Sequence, residues 1–81
     1  MRITVRFFAL LRDRAGIPQT QIELANDSTA SHALNAIVNQ FPALTEVMKR
    51  IVIAVNREYA SLETVLHDGD ELALIPPVSG G

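Results

Sequence analysis

Gly80 and Gly81 stand at the C-terminal end of the sequence, behind Pro76, Pro77, Val78 and Ser79 and directly after an apolar stretch that reads as a strand. Glycine has no Cβ, so two in succession can enter a channel too narrow for any side chain. Extended at ~3.3 Å per residue, Pro77 to Gly81 reach ~17 Å. The distinctive group on such a stalk is the carboxylate of Gly81. A free carboxylate is a poor electrophile at neutral pH. Joined to AMP it becomes a good one, because AMP leaves readily, and either a sulfur or an amine nucleophile can then attack the acyl carbon.

Nothing else in the chain could run that activation. Cysteine is absent, which removes thiolate metal sites, disulfides and a cysteine nucleophile together. There is no glycine-rich phosphate cradle. His32 and His67 have no serine, cysteine or second histidine at ligand spacing and read as solvated. Asp68, Asp70 and Glu71 look like a fragment of a calcium loop, but the rest of that loop's pattern is missing, so they read as a turn. On this reading the chain is a carrier or a substrate, it holds no metal or cofactor of its own, and a partner enzyme supplies the chemistry.

The elements that must position the stalk follow from periodicity. Arg2 to Phe7 alternate polar and apolar, with Ile3, Val5 and Phe7 on one side of a strand. Phe8 then falls on the polar side, where it is either exposed or turned inward at a bulge. Ala9 to Ala15 suggest a short helical turn stopped by Gly16, with Pro18 beyond. Thr20 to Leu24 alternate again. Asp27 or Ser28 is the expected N-cap of a helix over Thr29 to Phe41, whose Ala30, Ala33, Leu34, Ile37, Val38 and Phe41 share one face. Pro42 ends it, and Ala43 to Met48 suggest another brief turn. Ile51 to Val55 form a β-branched run closed by a turn at Asn56-Arg57-Glu58. Tyr59 to Leu66 could hold a short strand. After the turn His67-Asp68-Gly69-Asp70, Glu71 to Ile75 form the final strand, stopped by two prolines.

Strands flanking one main helix predict an α+β roll, a mixed sheet with the helix packed across one face. Known folds of this order place the first and last strands side by side in the middle. In the last strand Leu72 and Leu74 share a face, so Ile75 lies on the other. If these strands are neighbours, Phe8 and Ile75 meet near the root of the tail, and Tyr59 can join them as a docking patch. Arg12, Asp13 and Arg14 would then suit its polar rim. The expected boundaries are one domain over residues 1–76 and an extended, flexible tail over 77–81.

The totals narrow the partners. Of 81 residues, 48% are apolar, enough for one modest core. Seven basic and nine acidic residues leave a net charge of −2 with no basic stripe, which argues against a nucleic-acid partner. No apolar run is long enough to span a membrane, and the N-terminal residues lack a signal-peptide core. A soluble, cytoplasmic chain is expected.

Three segments, FFALLRDRAG, IAVN and DGDELALIPPVSGG, resemble the small, sulfur-carrying subunit of molybdopterin synthase, over essentially the whole length. The resemblance implies the ubiquitin-like β-grasp fold. It implies that an E1-like activating enzyme adenylates Gly81 with ATP and that a sulfur donor system converts it to a thiocarboxylate. The tail then enters the large synthase subunit and gives sulfur to a pyranopterin precursor of the molybdenum cofactor. Gly81 matches the activated residue and Gly80 its side-chain-free neighbour. Phe8, Tyr59 and Ile75 match hydrophobic docking positions and Arg12 a polar contact beside them, with Pro76, Pro77, Val78 and Ser79 leading into the partner. Leu74-Ile75 stand where many relatives carry aromatics.

Three other readings use the same residues. A related carrier would serve thiamine thiazole formation or tRNA thiolation. A ubiquitin-like modifier would pass its acyl group to a lysine amine. A plain interaction module would leave the tail inert.

Overall fold

A computed structural model describes residues 1–77. Val78, Ser79, Gly80 and Gly81, and with them most of the expected tail, lie outside the described residues. The order is β1 (Arg2–Phe7), α1 (Leu10–Ala15), β2 (Gln19–Glu23), α2 (Ala30–Gln40), a 3-10 turn (Pro42–Leu44), α3 (Thr45–Met48), β3 (Val52–Val55), β4 (Glu58–Ala60) and β5 (Glu71–Ile75). The five strands form one mixed sheet in the order β2-β1-β5-β3-β4. β1 and β5 run parallel as neighbours, and the other pairs are antiparallel.

Alternation in sequence becomes sidedness in the sheet. Phe7 lies opposite Leu74 and Leu74 opposite Ile53, so three large apolar side chains form one transverse row. Val5 and Leu72 form the next. All five are buried. Fully burying side chains of this size contributes about 1.5–3 kcal/mol each. α2 packs across this face through Ala30, Ala33 and Ile37, with Leu34, Val38 and Phe41 partly buried at its margin. The Phe41 ring meets Phe7 edge-on, centroids 5.5 Å apart. Leu11, Leu44 and Leu66 close the core from three connecting segments.

Three local features depart from the expected boundaries. The N-cap of α2 is Thr29 rather than Asp27 or Ser28. The His32 ring completes a capping box, its Nδ1 accepting the Thr29 amide at 2.9 Å, where a glutamate or glutamine is usual. His32 is thus exposed but not idle. Asp27 instead takes a left-handed backbone, φ 68, and Ser28 is buried, its carbonyl accepting the Leu66 amide at 2.8 Å. The second departure is that α1 begins at Leu10. Ala9, at φ 48, turns the chain sharply off β1. The short strand sought within Tyr59 to Leu66 is β4, which begins one residue earlier, at Glu58.

Candidate functional site: the open sheet face and the root of the tail

Side chains pointing away from α2 make a second surface, built by the strand register. Arg6 lies opposite Ala73, Ala73 opposite Ala54, and Ala54 opposite Tyr59. Along this row small residues occupy β5 and β3, and large ones stand at either side. The methyls of Ala54 and Ala73, 6% and 9% exposed, sit low between these walls. The result is a shallow depression of about 390 Å³ lined by Arg6, Phe8, Arg57, Tyr59 and Ile75, among others.

The structure therefore brings Phe8, Tyr59 and Ile75 together. Phe8 is 37% exposed, whereas Phe7, its neighbour in sequence, is 2% exposed on the opposite face. The turn at Ala9 explains the difference. It sends Leu11 into the core while Phe8 stays on the outer side of the sheet. Tyr59 is 83% exposed and Val52, opposite Ile75, is also exposed, so the apolar surface continues along β3. An apolar surface that spans several strands in this way is unlike the scattered exposed residues of an ordinary surface.

Arg6 holds one wall in place. Its guanidinium lies over the Phe8 ring, 5.3 Å from the centroid, and its Nη1 is 3.6 Å from Oε1 of Glu71. Both members of that ion pair are partly exposed, so it fixes geometry more than it adds stability. Sequence reading passed over Arg6, although its outward position in β1 was legible. It also passed over Ala54 and Ala73, whose importance appears only once the strands are paired.

Arg12 lines a separate concavity with Asp13, Gly16, Ile17 and Pro18. Pro76 and Pro77 line a third hollow with Leu10, Arg14, Val47 and Arg50. Ile75 lines the depression and the two residues after it line this hollow, so the stalk departs at the boundary of the two surfaces.

Among the described residues no group of three or more histidine, aspartate or glutamate side chains could hold a metal. The acidic turn before β5 is committed to the fold. Asp68 Oδ1 accepts the Arg2 amide at 2.8 Å, while Asp70 accepts from Asn56 Nδ2 at 2.9 Å and from the His67 amide at 2.8 Å. No helix among the described residues is long and apolar enough to cross a membrane.

Comparisons with known proteins agree with this architecture. A family model described as the ThiS family matches residues 5–81. The molybdopterin synthase sulfur carrier subunit of Chlamydomonas reinhardtii is 42% identical, over all of both chains. The structure of small archaeal modifier protein 1 from Haloferax volcanii superposes with a TM-score of 0.88 at 34% identity, covering 95% of this chain and 98% of that one. A chain from the complex of subunits 1 and 2 of molybdopterin-converting factor from Helicobacter pylori is 35% identical over all of both chains, with a TM-score of 0.72. The fold is the ubiquitin-like β-grasp. A family match running from Val5 to the last residue, on a sheet of this order, leads to one statement: the chain belongs to the ThiS family.

Proposed function

We propose that this chain is the sulfur carrier subunit of molybdopterin synthase and that Gly81 carries the sulfur. One observation supports this most directly: relatives matched over all of this chain bear that name. The stalk also departs beside an apolar face suited to a partner. The partner is a second synthase subunit, as subunit 2 is in the Helicobacter pylori complex. Phe8, Tyr59 and Ile75 bind it, Arg12 adds a polar contact, and Pro76 to Ser79 lead Gly80 and Gly81 into its active site.

The sequence has no cysteine, so sulfur carried covalently resides on the C-terminus. The Gly81 carboxylate attacks the α-phosphorus of ATP on an activating enzyme and pyrophosphate leaves. Hydrosulfide, or its equivalent delivered by the donor system, then attacks the acyl carbon and displaces AMP. Within the partner the resulting thiocarboxylate forms a carbon–sulfur bond to the pyranopterin precursor with loss of an oxygen group, and water cleaves the acyl–sulfur bond, leaving the sulfur behind and restoring the Gly81 carboxylate. ATP is consumed by the activating enzyme, and this chain holds no cofactor.

Intact mass spectrometry tests the reading. Incubation with activating enzyme, ATP and a sulfur donor is expected to replace one terminal oxygen by sulfur. Deleting Gly81 is expected to abolish that gain while thermal unfolding stays the same. Sulfur transfer that survives the deletion overturns the assignment. The likeness to an archaeal modifier protein favours one second reading, in which a lysine amine attacks the acyl adenylate. High-mass conjugates that persist in denaturant and require Gly81 would favour it.

A further inference from the structure

Val55 pairs with Glu58, so only Asn56 and Arg57 connect β3 to β4. Their φ angles are 52 and 71. Two left-handed residues in a two-residue connection make the type I′ turn that matches strand twist, with Asn-Gly the favoured pair. Asn56 suits its position. Its Oδ1 accepts the Glu71 amide at 3.0 Å, and its Nδ2 donates to Asp70 at 2.9 Å. Arg57 stands where glycine is preferred, and its Cβ crowds the backbone there. Retaining a long side chain on a strained backbone points to a use for that side chain.

The side chain lies on the open face. Arg57 lines the depression beside Tyr59, as Arg6 and Phe8 do. Arg6 is engaged by Glu71 and by the Phe8 ring. Arg57 has no ion pair and no side-chain hydrogen bond among the described residues. A protein that covers the depression strips water from this guanidinium, and an uncompensated charge there opposes binding. A carboxylate answers the guanidinium fork in two parallel hydrogen bonds.

We infer that Arg57 is a specificity contact of the open face, receiving an aspartate or glutamate carboxylate from the protein that covers it. The inference rests on the reading of this face as the seat of the second synthase subunit. The test uses the full chain, Arg57→Gly, Arg57→Glu and Phe8→Ala, each titrated against that subunit at low and high salt and each melted alone.

Arg57→Gly is expected to melt no lower than the unmodified chain, because glycine relieves the turn. It should nevertheless bind about tenfold or more weakly at low salt, with a shallower salt dependence. Arg57→Glu should bind more weakly still. Unchanged affinity in both Arg57 variants, with Phe8→Ala weakened, overturns the inference and leaves the docking face intact. A lower melting temperature for Arg57→Gly overturns the strain argument. Failure of the unmodified chain to bind overturns the underlying reading, and the inference with it.

Discussion

Phe7 and Phe8 are the same residue type one position apart, and replacing each by alanine should give opposite phenotypes. Phe7 is 2% exposed, packed in the Leu74–Ile53 row and edge-on to Phe41. Its truncation opens a cavity under α2 and should cost about 3–5 kcal/mol. A domain of this size has a total stability of roughly 4–12 kcal/mol at ~0.05–0.15 kcal/mol per residue. Phe7→Ala therefore removes a large share of it, and at about 4–8 °C per kcal/mol the melting temperature should fall by at least ~12 °C. Phe8 already meets solvent over 37% of its surface. Its truncation loses marginal packing and the Arg6 stacking, which at an exposed site is worth about 0.5–1 kcal/mol. A melting shift no greater than ~8 °C follows. Binding inverts the order. An aromatic anchor at the centre of an interface is typically worth ~2 kcal/mol or more, so Phe8→Ala should weaken the complex about thirtyfold. Thermal unfolding followed by circular dichroism, paired with calorimetric titration against the second subunit, reads both effects. If Phe8→Ala unfolds as readily as Phe7→Ala, or binds as tightly as the unmodified chain, the assignment of the two faces is wrong.

Other expectations concern the supports of the site. Asn56→Ala removes both side-chain hydrogen bonds to the β5 entrance and places a Cβ-bearing residue without them at φ 52. Equilibrium denaturation should show a loss of about 1–3 kcal/mol. His32→Ala leaves the Thr29 amide without its side-chain acceptor and should cost about 0.5–2 kcal/mol by the same assay. His32→Gln should recover most of that loss, since glutamine is a usual partner in the capping box. If the alanine and glutamine variants are equally stable, the ring is not acting as a cap.

Much of the site was legible because strand periodicity carries sidedness. Alternation over Arg2 to Phe7 put Phe8 outside, and alternation over Leu72 to Ile75 put Ile75 there too. The face was therefore written in the chain before any strand was paired. Pairing itself was not written there. That Ala54 lies between Ala73 and Tyr59 depends on a register across two antiparallel neighbours, and no local signal reports it. That Phe8 and Arg12 line different concavities was not legible either, because Ala9, at positive φ, turns the chain before α1 begins. Thr29 was passed over as a cap because Asp27 and Ser28 carry equally good capping groups, and the long-range bond from Leu66 to the Ser28 carbonyl decides between them.

The position of β5 also bears on synthesis. The last of the five described strands in chain order is the one that joins the two halves of the sheet, β2-β1 on one flank and β3-β4 on the other. Until it arrives, β1 and β3 both lack a neighbour, and the nascent chain has only the shorter-range hairpins to hold it. A chain truncated before β5 lacks the strand that joins the two flanks and, with Ala73 and Ile75, part of the open face itself.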